Sequence, residues 1–227
     1  MITLTSQLFS FELKIKECSF NTIVIENKKV FRAFINSISN QISGEDGAVI
    51  ISKDYTPIEF CGNVELVINP FCLDCNSKKT QTKISTEIKK IVHNSIYEER
   101  FNNITVELNN VASDLIQEIS LPSINNNEIE LTNIIKLLSY YIEPKEDFLS
   151  EIIDFCNTKI IAEGIKLFVF VNLKTYLAKN EFEVLLNQFL YDKVPAIFVE
   201  SQMKSEELTS LEKLYIIDTE LCEIYSE

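Results

Sequence analysis

The chain has few of the residues that nucleotide chemistry and hydrolysis require. Four glycines occur in 227 residues, and they form neither a GxxxxGK(S/T) nor a GxGxxG pattern. Because closely spaced glycines let backbone N–H groups surround a phosphate, the sequence predicts no nucleotide-binding cradle. The single histidine, His93, has neither GxSxG nor HExxH around it, which disfavours a Ser-His-Asp or Cys-His site and a zinc-protease site. We therefore expect a protein that is not an enzyme.

Long apolar runs and dense cysteines are also missing. No stretch approaches the ~20 apolar residues of a membrane helix, and the first sixteen residues lack the features of a secretory signal. Six cysteines are too sparse for a disulfide scaffold, so we expect a cytoplasmic protein. The CxxC pair Cys72 and Cys75 has no second pair nearby. Free thiols are therefore favoured there over a zinc or redox site.

The charge is strongly acidic but unevenly distributed. The formal net charge is −13, and taken whole it disfavours a nucleic-acid binder because phosphates repel it. Residues 1–100 carry 12 basic and 12 acidic side chains, so the whole excess of acid lies in residues 101–227. Within the first half, Asn76–Val92 holds five lysines against one acid, Glu87. A chain this asymmetric can still present a basic face.

Strand and helix patterns alternate at both ends of the chain. Short apolar runs rich in β-branched residues predict buried strands, and apolar residues at helical spacing predict amphipathic helices between them. The predicted strands are Thr22–Glu26, Ala48–Ile51, Val64–Ile68, Ile165–Val171, Ala196–Val199 and Leu214–Ile217, and the helices beside them are Lys28–Ile42 and Asn180–Leu190. Strands and helices joined by short links imply a parallel sheet with right-handed crossovers. We expect an α/β head.

The middle of the chain reads as helical. Between Thr82 and Glu163 isoleucine and leucine recur near helical spacing, with a loop after Leu121 and a break at Pro144. This pattern predicts three or four helices inserted into the head. The predicted domains are a head of residues 1–81 and 164–227 and a helical leg of residues 82–163.

The basic run is the most informative candidate for a binding surface. Its lysines, with Ser77, Thr80, Thr82 and Ser85, offer charge and hydroxyl donors to a phosphate backbone. No aromatic residue is interspersed, which favours backbone contact with a duplex over stacking on a single strand. A solvated helix face explains the same pattern without DNA. The candidate DNA-binding residues are Lys28, Lys29, Arg32, Lys53, Lys78, Lys79 and Lys83.

Acids and asparagines meet in the helical region and suggest a hard cation. Asp114, Glu118, Glu128 and Glu130 flank a loop containing Asn125–Asn127. Carboxylate and amide oxygens suit calcium, although the spacing matches no EF-hand. Acids that cap helices and solvate a surface are the alternative.

Several segments together resemble a known family. They are Phe168–Asn172, Tyr176–Glu181, Ala196–Glu200, Tyr215–Asp218, Leu221–Tyr225 and the early Ile23–Glu26 strand with the helix after it. Their order and spacing resemble the short form of the CRISPR-associated protein specific to type II-A systems, which serves spacer acquisition. No catalytic signature contributes to the resemblance.

The resemblance implies a fold and a way of working. Members have a head like a P-loop ATPase core without its nucleotide site, and a helical leg. They form a ring-shaped homotetramer whose basic hole holds linear double-stranded DNA, stabilised by calcium in the leg. They act with the integrase pair and the effector nuclease. On this chain the resemblance implies metal ligands among Asn126, Glu128 and Glu118.

Three functions follow as hypotheses. The first is sequence-independent binding of linear duplex DNA, based on the basic first half and the resemblance. The second is an interaction scaffold that recruits the integrase and the effector nuclease, with DNA contact secondary. The third, a residual nucleotide-binding enzyme, is disfavoured by the missing glycines.

Overall fold

The computed structural model describes residues 2–16, 19–93, 95–119, 128–138, 140–202 and 208–225. The chain divides into two compact units. The first contains Met1–Cys75 and Pro144–Glu227, and the second, Asn76–Glu143, is inserted between these segments. This agrees with an α/β head that carries an inserted helical leg.

The first unit is built on a six-stranded sheet in the order β10-β9-β3-β8-β7-β6. Strands β3, β6, β7, β8 and β9 run parallel, and β10 pairs antiparallel with β9 at the edge. The strands are β3 Phe20–Ile25, β6 Val64–Val67, β7 Leu167–Val171, β8 Ala196–Glu200, β9 Glu212–Ile217 and β10 Glu223–Tyr225. Every residue of β3, β7 and β8 is buried, as expected for central parallel strands covered on both faces. The predicted parallel-sheet α/β head is confirmed.

Two apolar cores cover the two faces of this sheet. On one face Phe168, Phe170 and Phe198 pack against helices α5 and α6. Alternate residues of the same strands, such as Val169, turn to the other face and meet helix α1. The helices are α1 Lys28–Ile42, α5 Phe148–Thr158 and α6 Lys179–Tyr191. Burial of each large apolar side chain contributes about 1.5–3 kcal/mol, so the two cores dominate the stability of this unit.

A second, four-stranded antiparallel sheet has the order β2-β1-β4-β5, and its buried residues belong to the apolar core that contains α1. Its strands are β1 Ile2–Ser6, β2 Leu13–Ile15, β4 Val49–Lys53 and β5 Thr56–Ile58. Sequence analysis predicted β4 and missed the other three. Each of these strands spans five residues or fewer and includes polar residues or proline, so none forms a continuous apolar run.

Helix α5 belongs to the head, although the sequence interpretation placed it in a leg of residues 82–163. Its residues Ile152, Phe155 and Cys156 are buried in the core beside α6. A five-residue π-helix, Lys159–Glu163, follows it and ends at Gly164, whose φ of 73° is one that glycine adopts freely. The inserted unit therefore ends at Glu143, before α5 begins.

The second unit consists of α2 Lys78–His93, α3 Tyr97–Glu118 and α4 Leu131–Leu137, which contact one another. The side chain of Asn76 closes the unit, because its Oδ1 accepts from Ile142 N at 2.9 Å and its Nδ2 donates to Ile142 O at 2.8 Å. The two ends of the inserted segment are thereby held together.

Candidate nucleic-acid interface

Three predicted DNA-binding residues lie together at the start of α1. Asn27 caps this helix, and its Oδ1 accepts hydrogen bonds from Lys29 N at 3.1 Å and Val30 N at 3.2 Å. The side chains of Lys28, Lys29 and Arg32 are exposed, and the helical spacing of these residues puts them on neighbouring positions of one face. Within the described part of the chain, none of the three forms an ion pair.

The position of these cations is electrostatically unfavourable for the helix. The N-terminus of a helix carries a partial positive charge, where cations cost about 0.3–1 kcal/mol each and anions stabilise. The first turn of α1 contains no acidic residue to offset it. The positive end of the helix dipole and the two lysines therefore reinforce one another as a site of positive potential, which a phosphate would stabilise.

Helix α2 repeats this arrangement in the inserted unit. Lys78 and Lys79 occupy its first turn, which again has no acidic residue, and the Ser77 Oγ accepts from Thr80 N at 3.2 Å. Lys78, Lys79 and Lys83 are exposed. At 100° per residue, all five lysines of α2 fall within an arc of about 140°, opposite the apolar side of the helix. Lys90 in this arc is paired with Glu87 at 2.6 Å.

The hydroxyl groups of this helix have a different role from the one that the sequence suggested. Thr80 is fully buried, and its Oγ1 is hydrogen-bonded to Ser77 Oγ at 2.8 Å. Thr82 Oγ1 donates to Lys78 O at 2.7 Å. Ser77 and Thr80 thus stabilise the helix start and the Thr82 hydroxyl is bonded within its own helix, which leaves the lysines as the phosphate-binding candidates.

Lys53 lies apart from the α1 cations. It is paired with Ile2 in the four-stranded sheet and lines a cavity at the amino-terminal ends of β3 and β8. Lys28 follows the carboxyl-terminal end of β3, a strand of six residues, or roughly 20 Å. Sequence reasoning missed that Lys16 and Lys193 line the same cavity as Lys53. The three come from separate segments, so no local pattern could have revealed the grouping.

The turn between β3 and α1 has no room for a phosphate cradle. It contains two residues, Glu26 and Asn27, where a P-loop needs a longer glycine-rich loop. Its polar groups already have partners, because Glu26 N donates to Ile217 O at 2.8 Å and Asn27 Nδ2 donates to Thr219 O at 3.0 Å. Any phosphate bound here would lie against the exposed helix start.

The predicted calcium ligands are only partly described. Glu118 ends α3 and Glu128 is exposed, whereas Asn126 lies outside the described residues. The side chain of Asn109 on α3 is hydrogen-bonded twice to the backbone of Ile129: its Nδ2 donates to Ile129 O at 3.0 Å, and its Oδ1 accepts from Ile129 N at 2.8 Å. Among the described residues no group of three or more His, Cys, Asp or Glu side chains is arranged to hold a metal. The calcium site stays a prediction.

The two cysteines of the CxxC pair differ in exposure, and the surroundings of Cys75 disfavour its thiolate. Cys72 is exposed, whereas burial raises the pKa of Cys75, with nearby negative charges acting in the same direction and a hydrogen bond to Thr158 partly opposing them. Metal binding and thiol exchange both need the thiolate, which these surroundings disfavour.

No helix among the described residues is long and apolar enough to cross a membrane.

The fold and the two basic helix starts together define the class of protein. The chain is an α/β protein with a mainly parallel sheet and an inserted helical unit, and exposed cations start one helix in each unit. A family model described as CRISPR-associated protein Csn2 matches residues 41–221. The chain belongs to the CRISPR-associated Csn2 family, which confirms the resemblance found in the sequence.

Other comparisons give remote similarity. No curated protein matches the chain. It is similar to a nucleotide-free ATP-binding cassette of an ABC transporter, with 11% identity and a TM-score of 0.48 over 100% of this chain and 92% of that one. A dimeric bacterial ABC transporter cassette is 13% identical with a TM-score of 0.44, and the match covers 96% of this chain and 95% of that one. An ATP-bound bacterial ABC exporter of the Atm1 family is 10% identical with a TM-score of 0.41, and the match covers 96% of this chain and 37% of that one.

Proposed function

We propose that this protein serves CRISPR adaptation, the acquisition of new spacers, as a non-catalytic binder of linear double-stranded DNA ends. Contact is independent of sequence and uses Lys28, Lys29 and Arg32 in the head and Lys78, Lys79 and Lys83 in the inserted unit, with Lys53 a further candidate. One observation supports this proposal most strongly. The chain has a net charge of −13, yet exposed cations occupy the first turns of α1 and α2, and neither turn contains an acidic residue.

The two basic helix starts are unfavourable for the fold alone and favourable once a phosphate is bound. Cations at a helix N-terminus destabilise the helix, and the same positions would favour acids. A phosphate ligand reverses the sign, because it is attracted by the lysines and by the helix dipole together. The acidic remainder of the surface repels DNA, so binding is confined to these places.

Self-association is the second part of the proposal, as a homotetrameric ring with DNA in its central hole. Helix α3 supports it, since none of its 22 residues is buried. Its apolar residues recur at spacings of four, three and four, the pattern that buries a seam between helices. These residues, the α3 stripe, are Ile104, Leu108, Val111 and Leu115, each between 40% and 58% exposed. Such a stripe favours association with another chain.

Calcium completes the proposal as a stabiliser of the ring, through oxygens near Glu118, Asn126 and Glu128. Carboxylate and amide side chains are the ligands that calcium takes. Removal of the ion with a chelator is expected to lower the molar mass measured by light scattering, and return of calcium is expected to restore it.

Reversal of the α2 cations tests the DNA contact. The triple variant Lys78→Glu, Lys79→Glu and Lys83→Glu is expected to lose most binding of a linear duplex, because each phosphate contact contributes about −0.9 to the slope of log affinity against log salt. The matched control reverses three exposed lysines outside the predicted set, Lys136, Lys166 and Lys179. Both variants change the net charge equally, so only a local contact separates them.

The alternative is a protein-interaction scaffold that recruits the integrase pair and the effector nuclease. The exposed α3 stripe favours it as well, because a partner could cover those side chains instead of a second copy. If the α2 triple variant keeps full DNA binding but the protein still captures purified integrase, the scaffold replaces the DNA-binding proposal.

A further inference from the structure

The head contains a cavity of about 200 Å³ whose floor is apolar and whose rim is basic. The floor includes Phe20, Phe189 and Val194, each at most 3% exposed. The rim is formed by the exposed side chains of Lys16, Lys53 and Lys193. This cavity lies at the amino-terminal ends of β3 and β8, at the other end of β3 from the start of α1.

The fold brings the three lysines together from distant parts of the chain. In the four-stranded sheet Ile2 is paired with both Ile15 and Lys53, so Lys16 and Lys53 flank the same strand end. Lys193 follows α6, whose last turn supplies Phe189 to the floor. Within the described part of the chain, none of these lysines forms an ion pair.

Lys193 occupies a backbone position that glycine or asparagine normally takes. Its φ is 56°, in the left-handed region, which is strained for a residue with a Cβ. A strained non-glycine residue at a cavity rim is an observation from which function can be argued. Here the residue is a lysine that lines the same cavity as Lys16 and Lys53, in a protein whose net charge is −13.

We propose that this cavity binds a small amphipathic anion, with an apolar ring in the cavity and a phosphate or carboxylate between the three lysines. The size fits, because a cavity of about 150 Å³ accommodates benzene. The apolar floor distinguishes this site from the α1 and α2 cations, whose exposed side chains offer charge to a phosphate backbone. The proposal shares only Lys53 with the candidate DNA-binding residues, and the α1 and α2 cations take no part in it.

Phenyl phosphate is the probe, and its dissociation constant is measured by calorimetry on the full chain. We expect it to bind at least tenfold more tightly than either inorganic phosphate, which has no ring, or phenol, which has no charge. Protein NMR is expected to show contacts between the phenyl protons and the rings of Phe20 and Phe189.

The variants locate the site. Changing Lys16, Lys53 and Lys193 together to glutamine is expected to weaken phenyl phosphate on the order of tenfold or more, since three charge contacts are lost. The control changes Lys136, Lys166 and Lys179 to glutamine and is expected to bind as the parent does. All six side chains are exposed, so both proteins should fold, which urea unfolding verifies.

Three results would overturn the proposal. They are no measurable binding, equal affinity for inorganic phosphate, or unchanged affinity in the variant with glutamine at the three rim positions. In each case the three lysines would serve only to offset the negative carboxyl-terminal end of α6 and to solvate this face.

Discussion

Reversing the charge of Lys28 and Lys29 should stabilise the fold while it weakens DNA binding. Both lysines lie in the first turn of α1, where a cation costs about 0.3–1 kcal/mol and an acid contributes a similar amount. Both side chains are exposed and share one turn, so solvent screening keeps the effect in the lower part of this range. The variant Lys28→Glu, Lys29→Glu should gain about 1 kcal/mol in free energy of unfolding, or about 2–4 °C in Tm.

The same substitutions should impair binding of linear duplex DNA. Each lost phosphate contact lowers the magnitude of the salt slope by about 0.9, so a chain that uses both lysines loses about 2. Fluorescence anisotropy across a salt series measures the slope, and urea unfolding measures the stability. Opposite signs in the two assays separate a lost contact from a damaged fold.

A charge-matched control completes this test. Lys136 and Lys166 are exposed and outside the predicted set, and Lys136 lies in the last turn of α4, where a cation is favourable. Reversing both should cost a little stability and leave the salt slope unchanged. If the α1 variant keeps the parent slope, or if its binding and stability fall together, the assignment of the α1 cations is wrong.

Three further predictions concern the rest of the molecule. Lys174→Met should lower the free energy of unfolding in urea by about 3–5 kcal/mol, because the fully buried Glu212 side chain, now paired with Lys174 at 2.6 Å, would become an uncompensated charge. Adding Glu212→Gln should recover part of this loss. A loss below about 1 kcal/mol would contradict the pairing. Leu108→Lys in the α3 stripe should lower the molar mass in light scattering, and an unchanged mass would exclude this stripe as the contact between chains. Cys75 should react with maleimide more slowly than exposed Cys61 near pH 8 and gain reactivity only at higher pH, because its pKa is raised; equal rates would contradict its burial.

The sequence predicted the parts of the head that have strong local patterns. The bounds of α1 agree with its apolar spacing, its Asn27 cap and Gly44 beyond its end, where φ is 86°. Strands β7 and β8 are apolar throughout because both faces are covered. These features depend on neighbours along the chain, which a single sequence shows directly.

What the sequence could not reveal depends on contacts between distant residues. Helix α5 has the same amphipathic pattern as a leg helix, and only the burial of Ile152 and Phe155 against the sheet assigns it to the head. Strand β1 has one buried residue, Leu4, and is stabilised by pairing with β2 and β4. The α1 and α2 cations were found from composition, whereas the grouping of Lys16 with Lys193 required the fold.

A comparison of linear and covalently closed circular DNA of the same sequence tests the central claim most directly. Binding is measured by gel shift across a salt series, with calcium and with chelator. The account predicts that the linear duplex binds, that the circle does not, and that both salt and chelator weaken the complex. Equal binding to the circle would contradict a ring that threads DNA ends, and no binding to either form would contradict DNA binding altogether.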